Sequence, residues 1–177
     1  MNSQKALLRN KVILTNAQNE NLGEADKMEA HQKGLLHQAF SILVYNAKGE
    51  LLLQKRAKDK YHSAGLWTNT CCSHPQPSEN LNDTIHERLK EEMGFDCPLN
   101  YKGQFIYETN FNNGLIEHEL DMVFCGQYDE APNPNPDEVE DFEWILPKTL
   151  KQNMLNNPQD YTFWFENVLK ICEIEGF

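Results

Sequence analysis

Ile85, Leu89 and Met93 recur every four residues between Asn82 and Met93, and Gly94 follows at once. That period predicts an amphipathic helix closed by a glycine C-cap, whose single apolar stripe has to be laid against another apolar surface. The flanking segments supply one. Val12–Leu14 reads as a short strand, and Phe40–Tyr45 with Leu51–Lys55 as a hairpin about the Asn46–Glu50 turn. Strands return over Gly103–Tyr107, Ile116–Gly126 and Glu140–Trp144, and Pro147–Asn153 and Tyr161–Cys172 read as helices. Hairpins exclude a purely parallel sheet, so the expected class is α/β (α+β), a mixed β-sheet sandwiched between helices. With 40% hydrophobic residues, 177 residues can bury one core, and a single domain over residues 1–177 is expected, with residues 1–10 disordered. The acidic, proline-rich run Asp129–Glu138 reads as a surface loop within that domain.

A formal net charge of −11 excludes nonspecific nucleic-acid binding, which needs a broad basic surface. The longest apolar-leaning stretch, Leu35 to Leu53, is broken by His37, Gln38, Asn46, Lys48 and Glu50, so no membrane span is expected. The five cysteines match neither a disulfide framework nor a Cys-x-x-Cys zinc spacing, and are read as reduced thiols in a cytoplasmic protein. The expected assembly is a monomer or weak dimer.

Chemistry concentrates in three places. In Thr68–Pro75, Cys72 and His74 are two apart and share a face if that stretch is extended. In Ile116–Phe124, the same period puts Glu117 and Glu119 on one face, opposite His118, Leu120, Met122 and Phe124. His31 and His37 precede the Phe40 strand at a spacing that is no standard zinc motif. Each feature has a plainer reading: a buried small thiol, a solvated acidic face, structural histidines. Together the imidazoles and carboxylates would suit a six-coordinate divalent ion better than a closed thiolate zinc site. His62, His86 and His118 have no such companions in sequence and are read as surface or core residues.

The stretch Ser73–Glu79 followed by Glu87–Phe95 resembles a degenerate Nudix box, with Glu79, Leu89, Glu91, Glu92, Gly94 and Phe95 in register. Ser73 stands for the usual Gly, Glu87 for the Arg, and Arg88 for a metal-binding Glu. These departures, with Ala-His31, Leu-His37-Gln-Ala-Phe, Lys-Arg56-Ala, Gly-Leu-Trp-Thr-Asn-Thr, Cys72-Ser-His74-Pro, Tyr107 and Glu117-His-Glu119, resemble the type 1 isopentenyl-diphosphate isomerases, a Nudix-fold family. The resemblance runs from about Val12 to Trp164.

What the resemblance implies is specific. His31, His37, His74, Glu117 and Glu119 would hold one divalent ion (Mg²⁺, Mn²⁺ or Zn²⁺). A second ion, Mg²⁺, would sit among the substrate diphosphate, Glu92 and a backbone carbonyl near Cys72. Cys72 and Glu119 would form the catalytic pair with Tyr107 assisting. Lys27, Arg56, Lys60 and Arg88 would bind the diphosphate, and Trp164 would face the cationic intermediate or, on its plainer reading, pack the last helix. The implied partner is a small allylic or homoallylic diphosphate. A Nudix hydrolase and a non-catalytic Nudix-like binding module are the competing classes. Arg88 argues against the first, and the Cys72, Tyr107 and Glu119 set against the second.

Overall fold

The computed structural model describes residues 9–60 and 62–177. The disorder expected of residues 1–10 therefore falls outside the described residues, apart from two positions. Arg9 is held by Glu79 and the His74 carbonyl, and the Asn10 carbonyl accepts the Lys27 N–H at 2.6 Å.

Strand β3 (His37–Tyr45) is the axis of the molecule. Along one edge runs β8 (Ile116–Gln127), parallel to it from His37↔Glu119 to Tyr45↔Gln127, with β7 (Leu99–Asn110) antiparallel on the far side of β8. The other edge is shared in turn by β1 (Lys11–Thr15), β6 (Cys71–Ser73) and β4 (Leu51–Arg56). β2 (Asn21–Asp26) pairs with β1, while β5 (Trp67–Thr68) and β9 (Val139–Ile145) pair with β4. The mixed sheet expected from the hairpins is thus present.

Side-chain alternation along β3 and β8 separates two environments. Phe40, Ile42 and Val44 join Leu120, Met122 and Phe124 on one face, against Ile85, Leu89 and Met93 of the helix α2 (Leu81–Met93). That is the stripe with which the sequence argument began, and each such side chain taken fully from water stabilises by about 1.5–3 kcal/mol. Asn80 caps the helix by accepting the N–H groups of Asn82 and Asp83, and Gly94, at φ +78°, ends it. A Cβ on Gly94 would lie 2.1 Å from the Asn133 carbonyl oxygen. That contact exists because the Asp129–Glu138 loop folds back, with Asn133 and Asn135 donating to the carbonyls of Met93 and Glu92. On the other face Leu43 and Val123 pack with Leu150 of α3 (Pro147–Asn156) and with Phe165, Val168 and Leu169 of α4 (Phe165–Ile171).

Two expectations are corrected, and one segment had been given no element. The segment from Asn21 to Lys33, assigned no element from the sequence, is β2 followed by the short helix α1 (Lys27–Lys33), capped by Asp26 and ended by Gly34 at φ +64°. The last helix starts at Phe165 rather than Tyr161, because Tyr161 bridges to Trp67 and the Thr162 N–H donates to the Trp67 carbonyl. The reading of five reduced thiols fails for Cys125 and Cys172, which are joined as a disulfide between β8 and the end of α4. Their separation of 47 residues carries no spacing signature. Cys71, Cys72 and Cys97 are free. Among the described residues no helix is long and apolar enough to cross a membrane.

Candidate active site

The face of the sheet that α2 does not cover holds a pocket whose floor is written by strand register. His37 pairs with Glu119 across β3 and β8, Tyr107 with Glu119 across β7 and β8, and Ser41 with Cys72 across β3 and β6. Directly paired residues share a face, as do residues two and four apart, so His37, Ser41, Cys72, Tyr107, Glu117, Glu119 and Asp121 all project the same way. Cys72 and Glu119 come from strands on opposite edges of β3.

Three histidines converge there. The ring centroids of His31 and His37 are 4.9 Å apart, those of His37 and His74 5.1 Å, and those of His31 and His74 5.7 Å. His31 Nδ1 donates to the Lys27 carbonyl at 2.6 Å and His37 Nδ1 to the Leu35 carbonyl at 2.7 Å. These bonds fix the tautomer and leave each Nε2 as the lone-pair nitrogen, which is how a metal-binding imidazole is commonly oriented. Ligand atoms of His31, His37, His74 and Glu119 all lie within 4.8 Å of one another, and His37 Nε2 is buried with no hydrogen-bond partner. Burial lowers His31 to about 4, so its ring is neutral, the form that binds a metal. The set fits a divalent ion on these grounds.

The carboxylates are locked by the same neighbours. Glu119 accepts from His74 Nε2 at 2.7 Å and from the Tyr107 hydroxyl at 2.7 Å. Burial opposes its charge, but His74 and His37 outweigh burial and hold the carboxyl well below the usual carboxylate range. Glu117 is the reverse case: burial and the charge of Glu119 push it well up, although Arg56 and the Tyr107 hydroxyl, at 3.1 Å, act against the rise. Burial likewise pushes the Cys72 thiol up to about 12, with Asp121 adding and Arg56 opposing, so the sulfur keeps its proton at neutral pH. It lies 3.2 Å from Asn69 Oδ1 and 3.7 Å from Ser41 Oγ, and Ser41 donates to Asp121 at 2.7 Å.

On the opposite wall an acidic protein gathers cations. Arg9, Lys27, Arg56, Lys60 and Arg88 all line the pocket. Burial lowers Lys27 to about 8, and Lys60, Arg56 and Arg88 push it the same way while Glu119 resists. Such crowding is relieved by an anion. Arg88 bonds Glu92 at 2.5 Å and Glu91 at 2.7 Å from its place on α2. Burial opposes the Arg88 charge, yet Glu92 and Glu138 outweigh it and hold the guanidinium above its ordinary range. Glu92, 4% exposed, also accepts from Gln54 Nε2 at 3.1 Å, so Arg88 and Glu92 are no solvated surface pair. Lys60 is paired with Glu138, which places the far end of the proline-rich loop in the pocket. Trp164 sits at the N-cap of α4, packed in the core and lining the pocket at once, with the Arg56 guanidinium 5.5 Å over its ring.

Every residue given a site role by the resemblance therefore lines the pocket or belongs to the histidine cluster that shares His74 and Glu119 with it. Arg9, Ser41 and Asp121 carried no motif and were missed. His62, read as a surface or core residue without partners, is buried, 8% exposed, but has them: its Nε2 lies 2.9 Å from Glu117 Oε1, and its ligand atom falls in one group with those of His31 and Glu117. The partners are far apart in sequence, and the one available signal was its position two residues after Lys60.

A NUDIX domain model matches residues 35–165. The chain is 50% identical over 158 residues to Isopentenyl-diphosphate Delta-isomerase 2 of Photorhabdus laumondii, covering 89% of each chain. It is 48% identical to Isopentenyl-diphosphate Delta-isomerase 2 of Aromatoleum aromaticum, covering 89% of this chain and 83% of that one. Among solved structures, DR0079 of Deinococcus radiodurans superposes with a TM-score of 0.74 at 16% identity, over 91% of this chain and 98% of that one, a likeness of fold alone.

Proposed function

Because the chain belongs to the isopentenyl-diphosphate Delta-isomerase family of NUDIX-domain proteins and is an isomerase, we propose that it interconverts isopentenyl and dimethylallyl diphosphate with Cys72 and Glu119 as the proton-transferring pair. The observation that carries this reading is the emergence of a neutral thiol and a metal-site carboxylate from opposite edges of β3 into one cation-rimmed pocket. Moving the double bond requires a proton to be added to the terminal methylene carbon and another removed from the carbon next to the diphosphate-bearing one. An alkene is a feeble base, so the acid must be positioned, and the tertiary cation formed must be kept from water.

In the forward direction the Cys72 S–H bond breaks toward the methylene carbon, leaving a thiolate. The electron pair of the C–H bond on the carbon next to the diphosphate-bearing one closes the new alkene, and that proton passes to Glu119. In reverse the two exchange roles. Tyr107, bonded to Glu119 and Glu117, holds the carboxylate and can carry its proton, and the indole of Trp164 offers a π-face to the cation. Lys27, Arg56, Lys60 and Arg88 bind the diphosphate, with Glu92 holding the Mg²⁺ that accompanies it. His31, His37, His74, Glu117 and Glu119 hold the resident ion, Mg²⁺, Mn²⁺ or Zn²⁺. When bound, that ion fixes the Glu119 carboxylate and offsets its charge.

The expected result with purified protein, Mg²⁺ and isopentenyl diphosphate is dimethylallyl diphosphate with no phosphate released. Release of phosphate from this substrate or from nucleoside diphosphate derivatives, without isomerisation, would favour a hydrolase instead.

A further inference from the structure

We infer that His62 is a positioning residue for Glu117, and that it ties the loop bearing the diphosphate-binding Lys60 to the metal site. The inference rests on the reading of Glu117 as a metal ligand.

The imidazole reaches Glu117 Oε1 through Nε2 at 2.9 Å, while the other Glu117 oxygen takes the Tyr107 hydroxyl at 3.1 Å. Because the one Tyr107 proton is shared with Glu119, at 2.7 Å, His62 is the partner that Glu117 does not share with that carboxylate. The His62 ring is held between aromatic neighbours: Phe111 stacks on it at 5.3 Å with 20° between planes, and Trp164 meets its edge at 6.2 Å. His31 stacks at 6.0 Å with 24° between planes. Packed between these rings, the imidazole aims Nε2 at Glu117.

The loop after β4 closes on itself through Gly65 N–H to the Arg56 carbonyl and Arg56 N–H to the Leu66 carbonyl, both 3.0 Å. The Arg56 guanidinium donates to the His62 carbonyl at 3.4 Å. Arg56, Lys60 and His62 therefore belong to one unit: two cations that meet the anion and one imidazole that meets the ligand carboxylate. A diphosphate on Arg56 and Lys60 would thus be held by the same loop that carries the imidazole facing Glu117. Ligand carboxylates are commonly held by such outer partners, and losing one weakens metal binding by roughly 10- to 100-fold.

The test is Mn²⁺ binding, followed by the paramagnetic signal of the free ion and by calorimetry, on the full chain and on His62→Ala and His62→Gln. The glutamine amide places an N–H near the position of imidazole Nε2 but does not restore the stack on Phe111. The expected result is binding weakened about 10- to 100-fold in His62→Ala and largely recovered in His62→Gln, with both variants folded by far-ultraviolet dichroism. Unchanged affinity in His62→Ala, or equal weakening in both variants, would overturn the inference. So would the loss of a whole equivalent of Mn²⁺, which would make His62 a ligand. Failure of the wild-type chain to bind Mn²⁺ would overturn the ligand assignment itself, and the inference with it.

Discussion

Replacing Cys72 with Ala is expected to lower turnover by about 10²- to 10⁴-fold while leaving Mn²⁺ binding and the diphosphate KM near those of the wild type. The separation follows from where the sulfur sits. Cys72 lies on β6, with Asn69, Ser41 and Thr68 around its sulfur, which is not among the ligand atoms that His31, His37, His74 and Glu119 bring together. Its removal takes away an acid without taking away a ligand. The thiol holds its proton because burial and Asp121 raise it to about 12. Serine at the same place would be an equally protonated group of lower acidity, so Cys72→Ser should not rescue the rate. Steady-state kinetics with a parallel Mn²⁺ titration checks this, and near-normal turnover in Cys72→Ala would remove the thiol from the chemistry.

Glu119→Gln should fail differently. This carboxylate accepts from His74 and Tyr107 and lies 3.5 Å from His37 Nε2, so it is at once a candidate base and a candidate ligand. An amide keeps the volume but has neither the charge to offset the ion nor the basicity to take a carbon-bound proton. Turnover should fall by about 10²- to 10⁴-fold, as for Cys72, but now with Mn²⁺ affinity reduced by at least the roughly 10- to 100-fold expected of an outer-shell loss. A variant that binds Mn²⁺ normally would show that Glu119 is not a ligand. One that turns over normally would exclude it as the base. Set side by side, the two substitutions distinguish a proton carrier from a residue that carries protons and holds metal.

How much of this was legible depended on range. The period of Ile85, Leu89 and Met93 and the alternation of Glu117 and Glu119 are local, and each became the predicted helix or strand. Motif resemblance turned His31 and His37 from two histidines with no standard spacing into ligands, and brought in Lys27 and Arg88, which no spacing rule would have chosen. What stayed hidden is what depends on pairing between distant strands. Asp121 lies beneath Cys72 only because Ser41 links β8 to β6, and His62 meets Glu117 only because the loop after β4 folds over β8. The Cys125 and Cys172 pair, 47 residues apart, belongs to the same class. The helix starting late at Phe165 has another cause: Tyr161 bridges to Trp67 and the Thr162 N–H donates to the Trp67 carbonyl, while the Tyr161 N–H closes the preceding turn on Pro158.

The arrangement of Cys72 and Glu119 on opposite edges of β3 is tested most directly by running the reaction in deuterated water with Mg²⁺ and isopentenyl diphosphate, and reading the product by nuclear magnetic resonance. The expected result is dimethylallyl diphosphate carrying deuterium in one methyl group, with label entering about 10²- to 10⁴-fold more slowly when Cys72→Ala replaces the wild type. Unlabelled, unchanged substrate from the wild-type protein, or label entering equally with Cys72→Ala, would contradict it.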